Sequence, residues 1–299
     1  MRVFTATLIA AGRLTPQILS DATDRLASAG CAPDQWAWID EGDAADIVFT
    51  AGMEAARSAL EGAFEAVDVV VQPSGAREKR LLVADMDSTM ITVECIDELA
   101  DYAGIKPQIA EITEAAMRGE LDFAAALDAR VALLKGLDAA AIERCRNERV
   151  RLMPGACTLV RTMRARGATT ILVSGGFTAF AEPVAAEIGF DRAIANRLEV
   201  IEGQLAGTVG KPIVDSVTKE RTLREARAAL ALPDELTLAV GDGANDLAMI
   251  NIAGLGVAYR AKPVVAAAAG ARIDHNDLTA LLWAQGIARS QWVDNTLPM

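Results

Sequence analysis

The chain has 299 residues, 52% of them hydrophobic, which marks a folded globular protein with room for one large core or two domains and excludes a disordered one. Its formal charge of −12 excludes a broad attraction to nucleic acid or anionic membranes, so an anionic ligand needs its own local positive charge. The single histidine, His275, excludes a multi-histidine metal site and leaves the chemistry to carboxylates, Lys, Arg, Ser or Cys.

Val3–Ala11 is short, is interrupted by Thr5 and Thr7 and has only Arg2 as a positive flank, so it reads as a strand and not as a signal peptide. A helix is expected from near Thr15, strands at Gln35–Ile39 and Ala45–Thr50, a helix over Met53–Phe64 and a strand at Val67–Gln72. That βαββαβ order predicts a small α+β unit over 1–76. The polar stretch Pro73–Arg80 breaks the pattern and reads as a linker.

From 77 to 299 the pattern becomes apolar runs alternating with helical stretches, as in an α/β, doubly wound parallel sheet. The expected strands are Leu81–Ala84, Thr169–Val173, Thr237–Val240 and Leu255–Ala258, and Asn196–Val209 reads as a β-hairpin flap around Glu202-Gly203. A helical insert fills about 95–150, with Pro107 in a first turn and Gly119 at a stop. In its helix over Asp122–Lys135, Phe123, Leu127, Arg130 and Leu134 share one face, so Arg130 interrupts an apolar stripe. Spacing alone leaves two readings for Arg130: a snorkelling edge residue, or a guanidinium meeting an anion in a closed site. The cysteines Cys31, Cys95, Cys145 and Cys157 are scattered without a C-x-x-C pair, which points to reduced thiols and a cytoplasmic protein. No apolar run is long enough to span a bilayer.

Ligands of open parallel sheets sit beyond the carboxyl ends of the strands. Three of the expected strands end in Asp85-Met86-Asp87-Ser88-Thr89, Ser174-Gly175-Gly176 and Gly241-Asp242-Gly243-Ala244-Asn245-Asp246. Asp85, Asp87, Asp242 and Asp246 would converge there, and paired carboxylates roughly 4 Å apart repel by about 4 kcal/mol at an intermediate dielectric. A hard divalent cation with oxygen ligands, Mg²⁺, removes that conflict, with Asp85, Asp242 and the Asp87 carbonyl as ligands. A carboxylate can also attack phosphorus, and the Ser174-Gly175 amides, near a helix start, can hold phosphate oxygens. Lys219, ahead of the Asp242 strand, is the expected lysine; taken singly it reads as a solvated surface residue.

These stretches together, with DMDSTMITVECIDELA (Asp85–Ala100), MRGELDFAAALDARVALLKGL (Met117–Leu137), TKERTL (Thr218–Leu223) and VGDGANDLAMI (Val240–Ile250), resemble the haloacid dehalogenase superfamily of phosphotransferases and, within it, the phosphoserine phosphatase family. The resemblance implies Asp85 as nucleophile and Asp87 as proton donor and then base. It implies Ser174, Gly175, Lys219 and Asn245 around the phosphate, Asp242 on the metal and Asp246 in support. It further implies Glu94 on the substrate ammonium and Arg130 on its carboxylate, with Met117 and Phe123 in the lid. The implied role is the last step of serine synthesis, with phosphoserine as substrate. Transfer of the phosphoryl group to another alcohol such as homoserine, hydrolysis of another phosphoester by the same chemistry, or an amino-acid sensor with a vestigial phosphatase core, stand as alternatives. The N-terminal unit resembles an ACT-like module, for which amino-acid sensing, or homodimerisation and packing, are both open.

Overall fold

In the computed structural model, residues 2–117 and 120–293 are described, Met117 by its backbone alone. The first unit is β1 (Phe4–Ile9), α1 (Pro16–Ser28), β2 (Pro33–Asp40), β3 (Ala44–Phe49), α2 (Met53–Leu60) and β4 (Asp68–Pro73). Its antiparallel sheet has the order β2-β3-β1-β4. Thr15 caps α1 by accepting the Ile18 N–H, and Pro16 fits the first turn. Side chains alternate across strands, so Ala6, Leu8, Ile47, Phe49, Val69 and Val71 pack with Leu19 and Leu26 of α1 and Ala56 and Leu60 of α2. The opposite face, with Ile9, Ala44 and Val70, joins the core of the rest of the chain.

The remainder runs β5 (Leu81–Ala84), α3 (Cys95–Tyr102), α4 (Lys106–Met117), α5 (Phe123–Ala132), α6 (Ala140–Arg149), α7 (Ala156–Ala165), β6 (Thr169–Phe177), α8 (Thr178–Ile188), β7 (Arg192–Asn196), β8 (Leu198–Ile201), β9 (Gln204–Val209), α9 (Ser216–Ala229), β10 (Thr237–Gly241), α10 (Leu247–Ile252), β11 (Leu255–Tyr259), α11 (Pro263–Ala268), β12 (Ala271–Ile273) and α12 (Ala280–Ala284). Six strands form a parallel sheet of order β12-β11-β10-β5-β6-β7. Leu82, Ala84, Leu172, Leu238 and Val240 face one helical layer; Leu81, Val83, Ile171, Val173 and Ala239 face the other. Both faces are covered, as the unbroken apolar runs require. The strand order reverses between β5 and β10, the switch point where ligands bind in such sheets. The β8–β9 pair is the expected flap hairpin.

Several expectations need adjustment. Helix α2 stops at Leu60, earlier than Phe64, and Asp122 is the N-cap of α5, accepting the Ala125 N–H at 2.7 Å, with the helix ending at Ala132. Strands β7 and β12 were not foreseen: one is a half-buried edge with a charged first residue, the other only three residues long. Pro73–Arg80 is polar but not loose. Arg77 donates to Asp46 at 2.6 and 2.9 Å, and the Lys79 ammonium to the carbonyls of Ala76 and Glu235 at 2.7 and 2.8 Å. Gly119 lies outside the described residues.

Candidate active site

The carboxyl ends of β5, β6 and β10 and the lid helices α3, α4 and α5 enclose a cavity of about 550 Å³. Asp85, Asp87, Ser88, Glu94, Phe123, Arg130, Gly175, Asp242 and Asn245 line it. Ser174, Lys219 and Asp246 are fully buried beneath. The side chain of Met117, also expected in the lid, lies outside the described residues.

The floor is built around Lys219. Asp215 caps α9, accepting the Thr218 N–H at 2.8 Å, and one residue later Lys219 projects inward with no exposed surface. Its ammonium meets Asp85 Oδ1 at 2.6 Å and Asp246 Oδ1 at 2.7 Å. The solvated-lysine reading is therefore wrong: two acids draw the cation into the core, and they hold its pKa above the usual lysine value despite burial. Asp246 Oδ2 accepts the Gly243 N–H at 3.0 Å, so both of its oxygens are engaged. A Cβ on Gly241 would overlap the Asp246 carboxylate, which is why the turn after β10 needs glycine there.

Asp87 Oδ1 accepts the Cys95 N–H at 3.0 Å at the start of α3, and its Oδ2 accepts the Ser174 hydroxyl at 3.4 Å. Burial, and secondarily Glu94, push the Asp87 carboxyl up to about 7. Asp242, whose Oδ1 accepts the Thr89 hydroxyl at 3.1 Å, is pushed up to about 6 by burial, then by Asp246 and Glu94. Asp85 is likewise raised, by burial and by Asp246, with Lys219 opposing. Ser88 takes a left-handed backbone (φ 55°) and donates to Glu94 Oε1 at 2.7 Å, fixing that acid at the cavity mouth.

Can this cluster hold a cation? Oxygens of Asp85, Asp242 and Asp246 lie within 4.8 Å of one another, an all-oxygen set suited to a hard divalent ion. Asp246 is saturated by Lys219 and Gly243, so Asp85 and Asp242 retain the capacity to bind it.

Ser174 and Gly175 belong to the end of β6, not to a helix start; α8 begins only at Thr178. The Ser174 hydroxyl accepts the Gly176 N–H at 2.9 Å, and a Cβ on Gly176 would sit 2.7 Å from Asp87 Oδ2. Arg130 lines the cavity and is half-buried, so the reading as an edge residue reaching to water does not hold. Its Nε donates to Ala126 O at 3.2 Å, and its terminal nitrogens have no protein partner among the described residues. Burial lowers its pKa, while Asp97 and then Glu94 oppose that shift. His275 is exposed in the loop after β12, away from the cavity.

Sequence reasoning missed four residues here. Asp97, Thr113 and Lys262 line the cavity. Buried Asn196 donates to Gly175 O at 2.8 Å and accepts the Val214 N–H at 2.8 Å, tying the β6 tip to the segment leading into α9. Lys262 was findable: it follows the fourth strand, β11, whose end the same search would have reached.

The haloacid dehalogenase-like hydrolase profile matches residues 82–251. The chain is 48% identical over 235 residues to a phosphoserine phosphatase of Streptomyces coelicolor, covering 78% of this chain and 57% of that protein. It is 41% identical to one of Archaeoglobus fulgidus, covering 81% and 69%. A probable phosphoserine phosphatase structure from Vibrio cholerae superposes with a TM-score of 0.76 at 31% identity, covering 97% of this chain and 88% of that one. The chain thus spans little more than half the length of the Streptomyces relative. More than half of the sequence falls within the matched profile: the chain belongs to the haloacid dehalogenase-like hydrolase family.

Proposed function

We propose that the protein hydrolyses O-phosphoserine to serine and phosphate through an aspartyl-phosphate on Asp85. One observation carries the reading. A single cavity joins the Asp85–Lys219–Asp242 floor to a wall bearing both an acid, Glu94, and a partly buried guanidinium, Arg130, with open terminal nitrogens. Those two signs match an amino acid's ammonium and carboxylate beside a phosphate. The names of the relatives support the same substrate.

In the first step an Asp85 oxygen attacks phosphorus and the bond from phosphorus to the serine oxygen breaks. Asp87, raised to about 7, hands its proton to that oxygen. In the second step Asp87 takes a proton from water, which attacks phosphorus and frees Asp85 and phosphate. Lys219, Ser174, Gly175 and Asn245 hold the phosphate oxygens, and Asp246 keeps Lys219 in place. Mg²⁺ held by Asp85, Asp242 and the Asp87 carbonyl would supply charge compensation for the phosphoryl group. Phe123, whose Cζ would lie 3.0 Å from a Cβ on Gly175, closes the lid side and excludes water.

The same reading divides the chain into units 1–76 and 77–299 with a lid insert at about 95–150, supported by separate apolar clusters. It places the protein in the cytoplasm, in keeping with four free thiols, and has it dimerise through the N-terminal unit, whose strand β2 is a sheet edge. The deciding experiment compares phosphoserine with analogues lacking the amine or the carboxylate, with and without alcohol acceptors. Preference for the complete amino acid is expected. Equal rates on all three esters, or phosphoryl transfer outrunning hydrolysis, would remove the substrate assignment.

A further inference from the structure

We infer that Lys262 is a substrate-binding residue: its ammonium draws the phosphate group into the cavity and holds it there before and after reaction. The inference rests on the phosphatase reading above.

Among the described residues, the cavity is lined by five carboxylates, Asp85, Asp87, Glu94, Asp97 and Asp242, and by two cations, Arg130 and Lys262. Lys219 adds its charge from below, but Asp85 and Asp246 already oppose it at 2.6 and 2.7 Å. The whole chain carries −12 as well. A phosphomonoester dianion therefore approaches a repulsive mouth, and only an unpaired cation there can offset it. Arg130 rides on α5, in the lid. Lys262 is held by the sheet: its N–H donates to Asp242 O at 3.3 Å, which ties the end of β11 to the turn carrying Asp242 and Asn245. Its side chain is exposed, and its ammonium makes no hydrogen bond or ion pair among the described residues. Among the described residues, the other cations at this cavity are Lys219, matched to two acids, and Arg130 on the lid helix α5. A flexible ammonium suits this role, because it can follow a phosphate from the mouth to the floor.

The test measures p-nitrophenyl phosphate and phosphoserine hydrolysis by wild type, Lys262→Gln and Lys262→Arg across a KCl series, together with inhibition by inorganic phosphate. For Lys262→Gln, kcat/KM is expected to fall about tenfold on both esters, with a comparable weakening of phosphate inhibition and a smaller change in kcat. The slope of log(kcat/KM) against salt should become more positive, since one attractive charge is gone from a repulsive mouth, and Lys262→Arg should restore most of both. Wild-type kcat/KM, salt dependence and phosphate inhibition retained in Lys262→Gln would overturn the role. So would equal kcat losses in both variants with the salt dependence unchanged, which is what a merely structural residue would give. A wild-type protein that hydrolyses neither ester overturns the proposed function instead. Phosphate binding by calorimetry then judges Lys262 separately, and equal affinities in wild type and Lys262→Gln overturn it.

Discussion

In the proposed mechanism Asp87 acts as an acid in one step and a base in the next, and a carboxyl with an ordinary pKa is ionised at neutral pH. Burial first, and Glu94 second, raise it to about 7, so both forms are present near neutral pH. The sign follows: as pH rises through about 7 the protonated form is lost, and the step that expels an alkoxide slows. Asp87→Asn should therefore lower turnover of phosphoserine by about 10²- to 10⁴-fold. On p-nitrophenyl phosphate, whose leaving group needs no proton, the first step should survive. Stopped-flow traces should then show a burst of p-nitrophenolate, because the aspartyl-phosphate waits for a missing base. Equal damage on both esters with no burst would take proton transfer away from Asp87. Arg130 is tested by the same comparison of substrates. Its open guanidinium fork and half-buried setting predict a drop of about 30- to 100-fold in kcat/KM for carboxylate-bearing esters on Arg130→Ala, from about 2–3 kcal/mol of charge-assisted hydrogen bonding. An identical loss on p-nitrophenyl phosphate would exclude it from recognition.

Elements bring these residues together, and one short element carries its own pH signature. The turn before β5 buries Lys79 between two carbonyls, and burial, with Arg77 adding repulsion, pushes its ammonium down to about 8. The unfolded chain holds that proton more tightly than the folded one. Stability therefore rises as pH climbs from about 8 toward the normal lysine range, where the unfolded form also loses its proton. Urea midpoints at neutral and alkaline pH should show this upward trend in wild type and less of it in Lys79→Met; parallel trends would show that Lys79 does not titrate differently on folding. The strands that position the site were legible because buried parallel strands leave unbroken apolar runs, and the catalytic acids because three such runs end in polar turns. Lys219 was legible only through its place in a series, since nothing local distinguishes a buried lysine from a solvated one; two acids from β5 and from the turn after β10 decide it. Strands β7 and β12 left little trace, being short and at or near the sheet edges. Asp97 and Thr113 were out of reach because the angle at which α3 and α4 cross the site is a tertiary property, set by how residues such as Cys95 and Leu99 seat in the core.

At the scale of the whole molecule, the N-terminal unit is fastened to the catalytic core by polar contacts as well as by the Ile9, Ala44 and Val70 face. Buried Asp68 accepts the N–H groups of Asp274, His275 and Asn276 at 2.8–3.2 Å and the Asn276 amide at 2.8 Å, while Asp40 accepts the Trp283 indole N–H at 2.7 Å. The segment so anchored runs straight into the contact with α7. Leu278 N–H donates to Pro154 O at 3.2 Å, and Met153 N–H to Met90 O at 2.9 Å, next to the Asp85–Asp87 turn. A series of backbone bonds thus leads from the first unit to the loop that carries Asp85, the proposed nucleophile, so loosening one end should be felt at the other. Asp68→Ala strips several buried N–H groups of their acceptor and should cost about 3 kcal/mol. Urea unfolding followed by tryptophan fluorescence should move to lower denaturant. The Trp36 and Trp38 pair on β2 and the Trp283 and Trp292 pair near α12 should cease to report one shared transition. If the anchoring also sets the β5 loop, the variant at low denaturant should lose kcat before its global unfolding begins. A single transition with unchanged midpoint and kcat would show that Asp68 does not hold the two units together.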